Sequence, residues 1–330
     1  MVFPRSTTGT RRIRPLVRGA VGTVLGAVAA RAAYGVLARS PARDTVDDVF
    51  KVAEHSRDVW TRTNFRGEEV TLLEGPALAA GTCAAAALTP GVPPRLRTAT
   101  VVAALGATAF GGYDDLSGTG ASRGFRGHLG ALARGEITTG AIKIAGIGAT
   151  GLVAAALLDR RPADTAINGA LIAGTANLLN LLDLRPGRAA KAGLLAGAPA
   201  LTGPASGIAG SVVGATAALL PEDLGERAML GDAGANVLGA VLGVTAAASL
   251  PRPARAGILG GVIGLTLASE FISFTRVIDR VPPLRRLDEL GRRRAPEDHT
   301  APEETAPPAP DAEPVRVIVP PQRGSGSAGG

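Results

Sequence analysis

Carboxylate and carboxamide side chains stand at the ends of several apolar stretches of this 330-residue chain. The most regular group is Asn177, Asn180 and Asp183, which are spaced by three residues in a run of Leu, Ala and Gly. On an α-helix this spacing places the side chains about 60° apart, as a tilted ladder on one face. Hydrogen bonds between packed helices are one interpretation of the two asparagines. The carboxylate, however, needs a cation or a cluster of donors.

Three further aspartates lie where apolar stretches end or begin. Asp114 and Asp115 follow one stretch, and Asp232 lies in the sequence Met-Leu-Gly-Asp-Ala-Gly that opens another. A solvated helix end also explains the adjacent pair, and a helix N-cap explains Asp232, a role that is compatible with metal binding. Adjacent carboxylates can divide roles, one holding a metal while its neighbour accepts or orients a proton. With Asp183, these residues suit Mg²⁺, with Mn²⁺ as an alternative, because Mg²⁺ binds few carboxylates and completes its shell with water and phosphate oxygens.

Basic residues follow the same aspartates and indicate phosphate as a ligand. Arg126, His128 and Lys143 come after the aspartate pair. Arginine offers a planar fork to phosphate, and lysine offers a point charge. The alternative for any single arginine is the ordinary enrichment of basic residues beside a membrane. Lys143 is more informative, because it lies at the start of an apolar stretch.

The elements that must position these groups are apolar helices. The chain is 46% hydrophobic but only 3% aromatic, and its 45 glycines are concentrated with Ala, Leu and Val in long runs. Such small-residue helices can approach one another closely in a membrane. We therefore expect an all-α, polytopic integral membrane helix bundle of about 9–10 transmembrane helices. Nine apolar spans lie at about 16–37, 76–90, 97–113, 140–158, 164–182, 190–203, 206–220, 234–250 and 255–274.

The distribution of Lys and Arg predicts which face carries the aspartates. If the nine spans alternate, most of the Lys and Arg in the links fall on one side, and the positive-inside tendency makes that side cytoplasmic. The Arg-rich N-terminus, on the other side, departs from this tendency. All four aspartates then lie on the cytoplasmic face of a multi-pass protein of the plasma membrane. The cytoplasmic segments are 39–75, 114–139, 183–191, 221–233 and everything after residue 276.

Composition divides the chain into three parts and excludes some functions. We expect a disordered basic N-terminus at 1–15, a membrane domain at 16–280, and a charged segment with a disordered Pro/Gly/Ser-rich tail at 281–330. The single cysteine, Cys83, excludes a disulfide framework and a thiolate metal site. The net charge of +7 does not indicate nucleic acid, because aromatic residues for base stacking are almost absent. The Arg-rich segment 285–294 could bind a donor phosphate, anionic lipid or a partner, or form a solvated interfacial helix.

Three motifs, in their order and spacing, resemble one enzyme family. They are Asp114-Asp115 after an apolar span, Asn-x-x-Asn-x-x-Asp at 177–183, and Gly-Asp-x-Gly at 231–234. Together they resemble the polyprenyl-phosphate N-acetylhexosamine-1-phosphate transferases, or glycosyltransferase family 4. That family includes phospho-N-acetylmuramoyl-pentapeptide transferase and the UDP-N-acetylglucosamine-1-phosphate transferases of cell-wall and surface-glycan synthesis. The resemblance covers about residues 60–280, and the segment 64–67 resembles the family's first cytoplasmic loop.

The resemblance implies Mg²⁺-dependent transfer of an amino-sugar-1-phosphate from a UDP-sugar to a polyprenyl phosphate, with release of UMP. It implies that Asp183 and Asp232 hold the metal and that Asp114 or Asp115 deprotonates or orients the lipid phosphate. The implied partners are polyprenyl phosphate, a UDP-amino sugar and membrane lipid, with no nucleic acid; a homodimer is left open. The expected substrate-binding residues are Asn64, Arg126, His128, Lys143, Asn177, Asn180, Gly231 and Gly234.

Departures from the family pattern leave the donor sugar open. Asp183 is followed by Leu184, Arg185 and Pro186, where the family often continues as Asp-Gly-x-Asp-Gly, and the Arg-rich segment replaces a His-rich loop. The alternative function is that of a non-catalytic or degenerate family member, acting as a membrane scaffold or transporter. A transporter more often places ionisable groups at mid-membrane, whereas these groups are expected at one interface. A degenerate enzyme should have lost a metal-ligand carboxylate, whereas all four remain.

Overall fold

The structure is a computed structural model, which describes residues 8–39, 60–64, 66–117, 135 and 138–293. The chain divides into two compact units, Met1–Arg293 and Arg294–Gly330. The second unit lies outside the described residues. The first unit continues beyond the predicted domain boundary at residue 280 and includes the short helix Pro282–Glu289.

Helices make up nearly all of the described chain, which confirms the predicted all-α class. A short antiparallel hairpin, β1 (Thr61–Thr63) and β2 (Glu69–Thr71), precedes the second helix, and a 3₁₀ helix covers Ala198–Thr202. The eleven α-helices within the described residues are α1 (Thr8–Arg39), α2 (Glu74–Leu88), α3 (Pro94–Ser117), α4 (Thr139–Leu158), α5 (Pro162–Leu182), α6 (Arg188–Gly197), α7 (Ser206–Leu224), α8 (Gly231–Ser249), α9 (Arg252–Ser269), α10 (Phe274–Arg280) and α11 (Pro282–Glu289).

Each of the nine predicted apolar spans overlaps one of the helices α1 to α9, although the span 190–203 also includes the 3₁₀ helix and the span 255–274 continues past the end of α9 at Ser269. Among the described helices, four are long and apolar enough to cross a membrane: most of α1 (Arg14–Arg39), α4, α5 and α8. A fifth is added if α9 and α10, which meet at a bend of 96°, form one span. Helix α6 has 10 residues and is about 15 Å long, half of a hydrocarbon core of about 30 Å. The number of crossings, predicted as nine to ten, stays a prediction.

Small residues bring the helix backbones of α1 and α7 into direct contact. A Cβ atom added at Gly22 would fall on the carbonyl oxygen of Gly207, and one added at Gly26 would fall on that of Ser211. The Ser206 hydroxyl donates a hydrogen bond of 2.7 Å to the Pro15 carbonyl and joins the two helices at one end. This close approach is the usual way in which Gly- and Ala-rich helices associate where water supplies no hydrophobic drive.

Helix α8 lies at the centre of the bundle. Its apolar side chains, including Leu238, Val241 and Val244, are fully buried, and the helix packs against α3, α5 and α2. At Gly239 an added Cβ would meet the Thr175 carbonyl of α5, so these two helices also touch through their backbones. The N-terminus of α8 carries Gly231 and therefore brings the Gly-Asp-x-Gly motif to the middle of one end of the bundle.

Candidate functional site

Four helix ends place the predicted aspartates close together. Asp114 and Asp115 lie in the last turn of α3, and Lys143 lies near the start of α4. Asp183 is the residue at which α5 ends, and Asp232 lies in the first turn of α8. We call these five residues the carboxylate site. The structure brings all of them together, although they come from four separate parts of the chain.

The Lys143 ammonium group lies between carboxylates of two other helices. Its Nζ atom is 2.6 Å from Oδ2 of Asp114 and also contacts Oδ2 of Asp232. The Lys143 side chain is 13% exposed, so solvent screens these attractions less than at a free surface. The sequence predicted Lys143 to bind substrate. In the structure, its partners are the carboxylates of Asp114 and Asp232. A single ammonium charge can balance only one of them.

Asp115 caps the N-terminus of α8 from a different helix. Its Oδ1 accepts a hydrogen bond from the backbone N–H of Asp232 at 3.0 Å, and its Oδ2 accepts one from Ala233 at 2.9 Å. These are two of the four N–H groups that lack a partner within a helix, and a carboxylate is favoured at this positive end. The Arg62 guanidinium also donates to the Asp115 carbonyl. Asp115 therefore fixes the end of α3 to the start of α8.

Gly231 and Gly234, which were predicted to bind substrate, have packing roles in the structure. Gly231 has φ of +62°, and a Cβ there would lie 2.9 Å from Leu72 Cδ2 and 3.0 Å from Asp115 Oδ2. The glycine thus makes room for the capping carboxylate in a backbone conformation that other residues rarely adopt. A Cβ at Gly234 would lie 2.9 Å from the Cα of Gly75, so this position lets α2 approach α8.

Asp183 is half-buried and accepts a hydrogen bond from the backbone N–H of Gly231. Burial, followed by the nearby carboxylates of Asp223, Asp232 and Asp115, raises the pKa of Asp183 well above its ordinary value. The Gly231 N–H acts in the opposite direction but does not outweigh them. The carboxylates around Asp183 therefore repel one another when they are ionised, and Lys143 cannot balance all of them by itself.

Two buried carboxylates near Asp183 were missed by the sequence reasoning. Glu74, the first residue of α2, is 1% exposed, and Asp223, near the end of α7, is 2% exposed. Asp223 accepts a hydrogen bond from the Gly187 N–H at 3.0 Å, whereas Oε2 of Glu74 has no hydrogen-bond partner among the described residues. Both stand where a polar link meets an apolar stretch. That is the same signal that identified the predicted aspartates, so it could have identified these two.

The two asparagines of α5 lie on the helix that ends at Asp183. The Asn180 carbonyl accepts a hydrogen bond from the Asp183 N–H at 3.1 Å, and its side-chain Oδ1 is buried without a partner among the described residues. Asn177 lies one turn earlier and is half-buried. Asn180 thus offers an unused oxygen close to the carboxylate site.

Asn64 has a different environment from the one predicted for it. Its Oδ1 accepts hydrogen bonds from the N–H groups of Arg66 and Glu68, and its Nδ2 donates to Glu226 at 3.0 Å. These bonds hold the turn of the β1–β2 hairpin, and within the described part of the chain none of them reaches the four aspartates. The other two predicted phosphate-binding residues, Arg126 and His128, lie outside the described residues.

The donor chemistry of the carboxylate site suits a hard divalent cation. Among the described residues, no group of three or more His, Cys, Asp or Glu side chains is arranged to enclose a metal ion. Mg²⁺ does not require such a group, because it usually takes one or two carboxylates and completes its shell with water and phosphate. Asp183, Asp232 and Oδ1 of Asn180, which has no partner among the described residues, offer only oxygen ligands. In its chemistry the site therefore fits Mg²⁺.

A second group of charges fixes the chain that follows Asp183. Arg188 binds Asp288 through two hydrogen bonds of 2.7 and 3.1 Å, and Arg292 binds the same carboxylate at 2.8 Å. The Lys191 ammonium donates to three backbone carbonyl oxygens of residues 287, 288 and 290. We call Arg188, Lys191, Asp288 and Arg292 the clamp. It fastens part of the Arg-rich segment to the start of α6.

The charge balance within the clamp is favourable. Asp288 is 7% exposed, and its burial disfavours the ionised form. Arg188, Arg292 and Lys191 outweigh this cost and hold the pKa of Asp288 below its ordinary value. Arg292 is therefore committed within the chain, and Arg293 likewise pairs with Glu68 at 2.6 Å.

Comparisons with known proteins add no relative to these observations. No protein-family model matches the chain, and no curated protein matches it. Function is therefore inferred from the motifs and from the geometry of the carboxylate site.

Proposed function

We propose that this protein transfers an amino-sugar-1-phosphate from a UDP-sugar to a polyprenyl phosphate, with Mg²⁺ and with release of UMP, at the cytoplasmic face of the plasma membrane. The observation that carries the proposal is the meeting of Asp114, Asp115 and Asp232 around Lys143 at one end of an apolar bundle. The resemblance of three motifs to the polyprenyl-phosphate N-acetylhexosamine-1-phosphate transferases supports it.

In the proposed reaction, a phosphate oxygen of the lipid attacks the sugar-bearing phosphorus of the UDP-sugar. The bond between that phosphorus and the bridging oxygen breaks, UMP leaves with the bridging oxygen, and a polyprenyl diphosphate sugar remains. Little covalent chemistry is left to the protein, because phosphoryl transfer depends mainly on positioning and on neutralising charge. A negatively charged lipid and a negatively charged donor must therefore be brought together against their repulsion.

We assign Asp183 and Asp232 to Mg²⁺, together with the side-chain oxygen of Asn180. When bound, Mg²⁺ supplies charge neutralisation to the donor phosphates. Asp232 also binds Lys143. The Lys143 ammonium group can donate hydrogen bonds to Asp114, to Asp232 or to a phosphate oxygen of the substrate. Oδ1 of Asn180, which has no partner among the described residues, and the repulsion between Asp183 and its neighbouring carboxylates both favour a cation at this position.

The two adjacent aspartates receive different roles in this proposal. Both carboxylate oxygens of Asp115 accept backbone N–H groups of α8, so Asp115 positions Asp232 and does not contact substrate. Asp114 is bound through Oδ2 to Lys143, and it is the carboxylate that we assign to accepting a proton from the lipid phosphate or orienting it. This narrows the sequence-based expectation, which allowed either aspartate.

The distribution of charge supports the proposed membrane face. In the sequence, the links between helix ends on the side of the carboxylate site carry most of the Lys and Arg found between the helices, and such links favour the cytoplasmic side. Polyprenyl phosphate, which stays in the bilayer, can reach a site at the end of apolar helices without leaving the lipid. The nucleotide donor approaches the same site from water.

The test is release of UMP by the purified full-length protein in detergent, given polyprenyl phosphate, Mg²⁺ and a panel of UDP-amino sugars. We expect activity with at least one donor, and we expect Asp183→Asn and Asp232→Asn each to lower it by roughly 100-fold or more. Glu289→Gln is the control, because Glu289 is 63% exposed on α11 and lies in the clamp segment without belonging to the site. No UMP from any donor, beside an active member of the resembled family, would overturn the proposal and favour a scaffold or transporter.

A further inference from the structure

A cavity of about 380 Å³ lies at the end of the bundle opposite the carboxylate site. Helix α8 connects the two regions, because Asp232 lies in its first turn and Ala247 and Ala248 line the cavity. Ala247 follows Asp232 by 15 residues, which corresponds to about 22 Å along a helix. The cavity is therefore separate from the proposed active site. Its lining residues come from α1, α3, α4, α5, α8 and α9 and from the links between them.

Three arginines give this cavity a positive charge. Arg18 of α1, Arg95 of α3 and Arg255 of α9 line it, against a single acidic residue, Asp159. Arg18 and Arg95 make no hydrogen bond or ion pair with any residue that the structure describes. Two guanidinium groups in one cavity without a carboxylate partner repel each other and favour an anion between them.

Arg255 is different, because it is held in place by its own neighbours. It donates to Oδ1 of Asn168 at 2.7 Å and to Oδ1 of Asp164 at 3.2 Å, and its side chain is 11% exposed. Its Nε atom is buried and has no hydrogen-bond partner among the described residues. Arg255 thus supplies a fixed cationic wall with one donor unused, whereas Arg18 and Arg95 are free to engage a ligand.

Helix ends add to the positive potential. Helices α3, α7 and α9 all begin at this end of the bundle, and the lining includes Leu96 in the first turn of α3 and Pro204 and Ala205 just before α7. The N-terminus of a helix carries a partial positive charge and unpaired N–H groups, which favour anions. The lining also has an apolar part, which comprises Leu158 of α4 and Ala247 and Ala248 at the end of α8. A ligand that matches both the arginines and the apolar part of the lining has an anionic group joined to an apolar body.

We propose that this cavity binds the phosphate group of an anionic membrane lipid. Arg18 and Arg95 contact the phosphate oxygens, and the start of the acyl chains lies against Leu96 and Leu158. The cavity volume falls within the range of ordinary ligand sites, and its position at the end of apolar helices is where headgroups of a surrounding bilayer lie. Free inorganic phosphate offers the same oxygens but leaves the apolar wall uncovered. The proposal does not depend on the transferase function.

Native mass spectrometry of the full-length protein tests this inference. Delipidated protein is incubated with equal amounts of phosphatidylglycerol and phosphatidylcholine, and the retained lipid is counted. We expect preferential retention of phosphatidylglycerol, and we expect a variant carrying Arg18→Gln and Arg95→Gln to lose about tenfold in that preference, equivalent to about 1.4 kcal/mol. Arg160→Gln is the matched control, because Arg160 is an exposed arginine next to the cavity residue Asp159 but does not line the cavity.

The outcomes distinguish the two sources of phosphate. If excess inorganic phosphate displaces the retained phosphatidylglycerol completely, the cavity is a site for the free anion, and the lipid proposal is overturned. If the double variant and Arg160→Gln retain phosphatidylglycerol over phosphatidylcholine with equal preference, the lipid proposal is also overturned. Should the double variant fold poorly, Arg95→Gln alone serves, because Arg95 is exposed and its loss leaves the helix packing intact; an unchanged preference in that variant again contradicts the proposal.

Discussion

The carboxylate site and the clamp lie at the same end of the bundle, yet their charges are balanced in opposite ways. In the clamp, Asp288 receives two arginines, and the nearby lysine is held by three carbonyl oxygens. In the carboxylate site, Lys143 is the one described basic side chain that pairs with Asp114 and Asp232, while Asp183 lies close to further carboxylates. Among the described residues, the charges of the clamp are balanced, whereas those of the carboxylate site are not.

This difference separates a structural from a functional use of buried charge. A buried carboxylate is costly unless its partners replace the water that it has lost. Asp288 meets that condition, so the clamp fastens α11 to α6. The Asp183 carboxylate does not meet that condition among the described residues. Proteins keep such a destabilising group where their function requires it. Among the described residues, the mutual repulsion of the carboxylates near Asp183 is the reason why we propose a bound cation there.

The largest effect on stability is expected from Asp288→Asn. Removal of one charge from a buried, hydrogen-bonded ion pair leaves Arg188 uncompensated and costs about 3–5 kcal/mol. The melting temperature of the detergent-solubilised protein should fall by roughly 5–10 °C. Circular dichroism or light scattering measures it.

The neighbouring ion pair on the same helix provides the control for that measurement. Arg285 and Glu289 are 4.0 Å apart and more than half exposed, and such pairs contribute little. Arg285→Gln should therefore leave the melting temperature nearly unchanged. An equal fall in both variants would mean that the clamp contributes no more than a surface pair.

An intermediate effect is expected from Gly231→Ala, which acts on the carboxylate site through the backbone. The added Cβ meets Leu72 and the Asp115 carboxylate in a left-handed conformation, and such strain costs about 1–3 kcal/mol. UMP release should fall by roughly 100-fold, because Asp115 and Asp232 are displaced. Gly260→Ala is the matched control, since a Cβ there meets no atom within 4 Å; equal losses in both variants would contradict this assignment.

The smallest effect on stability is expected from Asp183→Asn, and unlike the other variants this one should be more stable than the unchanged protein. In the absence of divalent cations, removal of this carboxylate relieves its repulsion with Asp223 and Asp232, so the protein should become more stable by about 1 kcal/mol. Asp279→Asn, on the exposed surface of α10, should change nothing. Thermal unfolding in EDTA measures both variants. A loss of stability in Asp183→Asn would show that its hydrogen bond with Gly231 matters more than the repulsion.

Much of the fold was predictable because the signals for it are local. Each apolar run of the sequence forms a helix, and polar residues at the ends of those runs meet at one end of the bundle, as with Asp115 and Asp232. The same signal is present at Glu74 and Asp223. These were missed because no motif drew attention to them, although burial of Glu74 at 1% exposure makes it part of the same region.

The partners of individual charges could not be predicted, because they depend on three-dimensional packing. Asp288 and Arg188 are 100 residues apart, and nothing in the Arg-rich segment distinguishes the buried Asp288 from the exposed Glu289. Lys143 could be singled out, but its position between two aspartates of other helices could not. The packing roles of Gly231 and Gly234 could not be predicted either, because they depend on the approach of Leu72, Asp115 and Gly75 from other parts of the chain, and their predicted contact with substrate stays a prediction.

The contact between α1 and α7 can form only after both helices have been synthesised. The Ser206 hydroxyl and the Pro15 carbonyl, which close this contact, are 191 residues apart, so α1 is synthesised roughly 10–40 s before its partner. Throughout that interval the glycine face of α1 has no helix to meet. The glycine face of α1 is thus packed long after the helix itself has been made, and a separately expressed α1 should be able to join the rest of the protein.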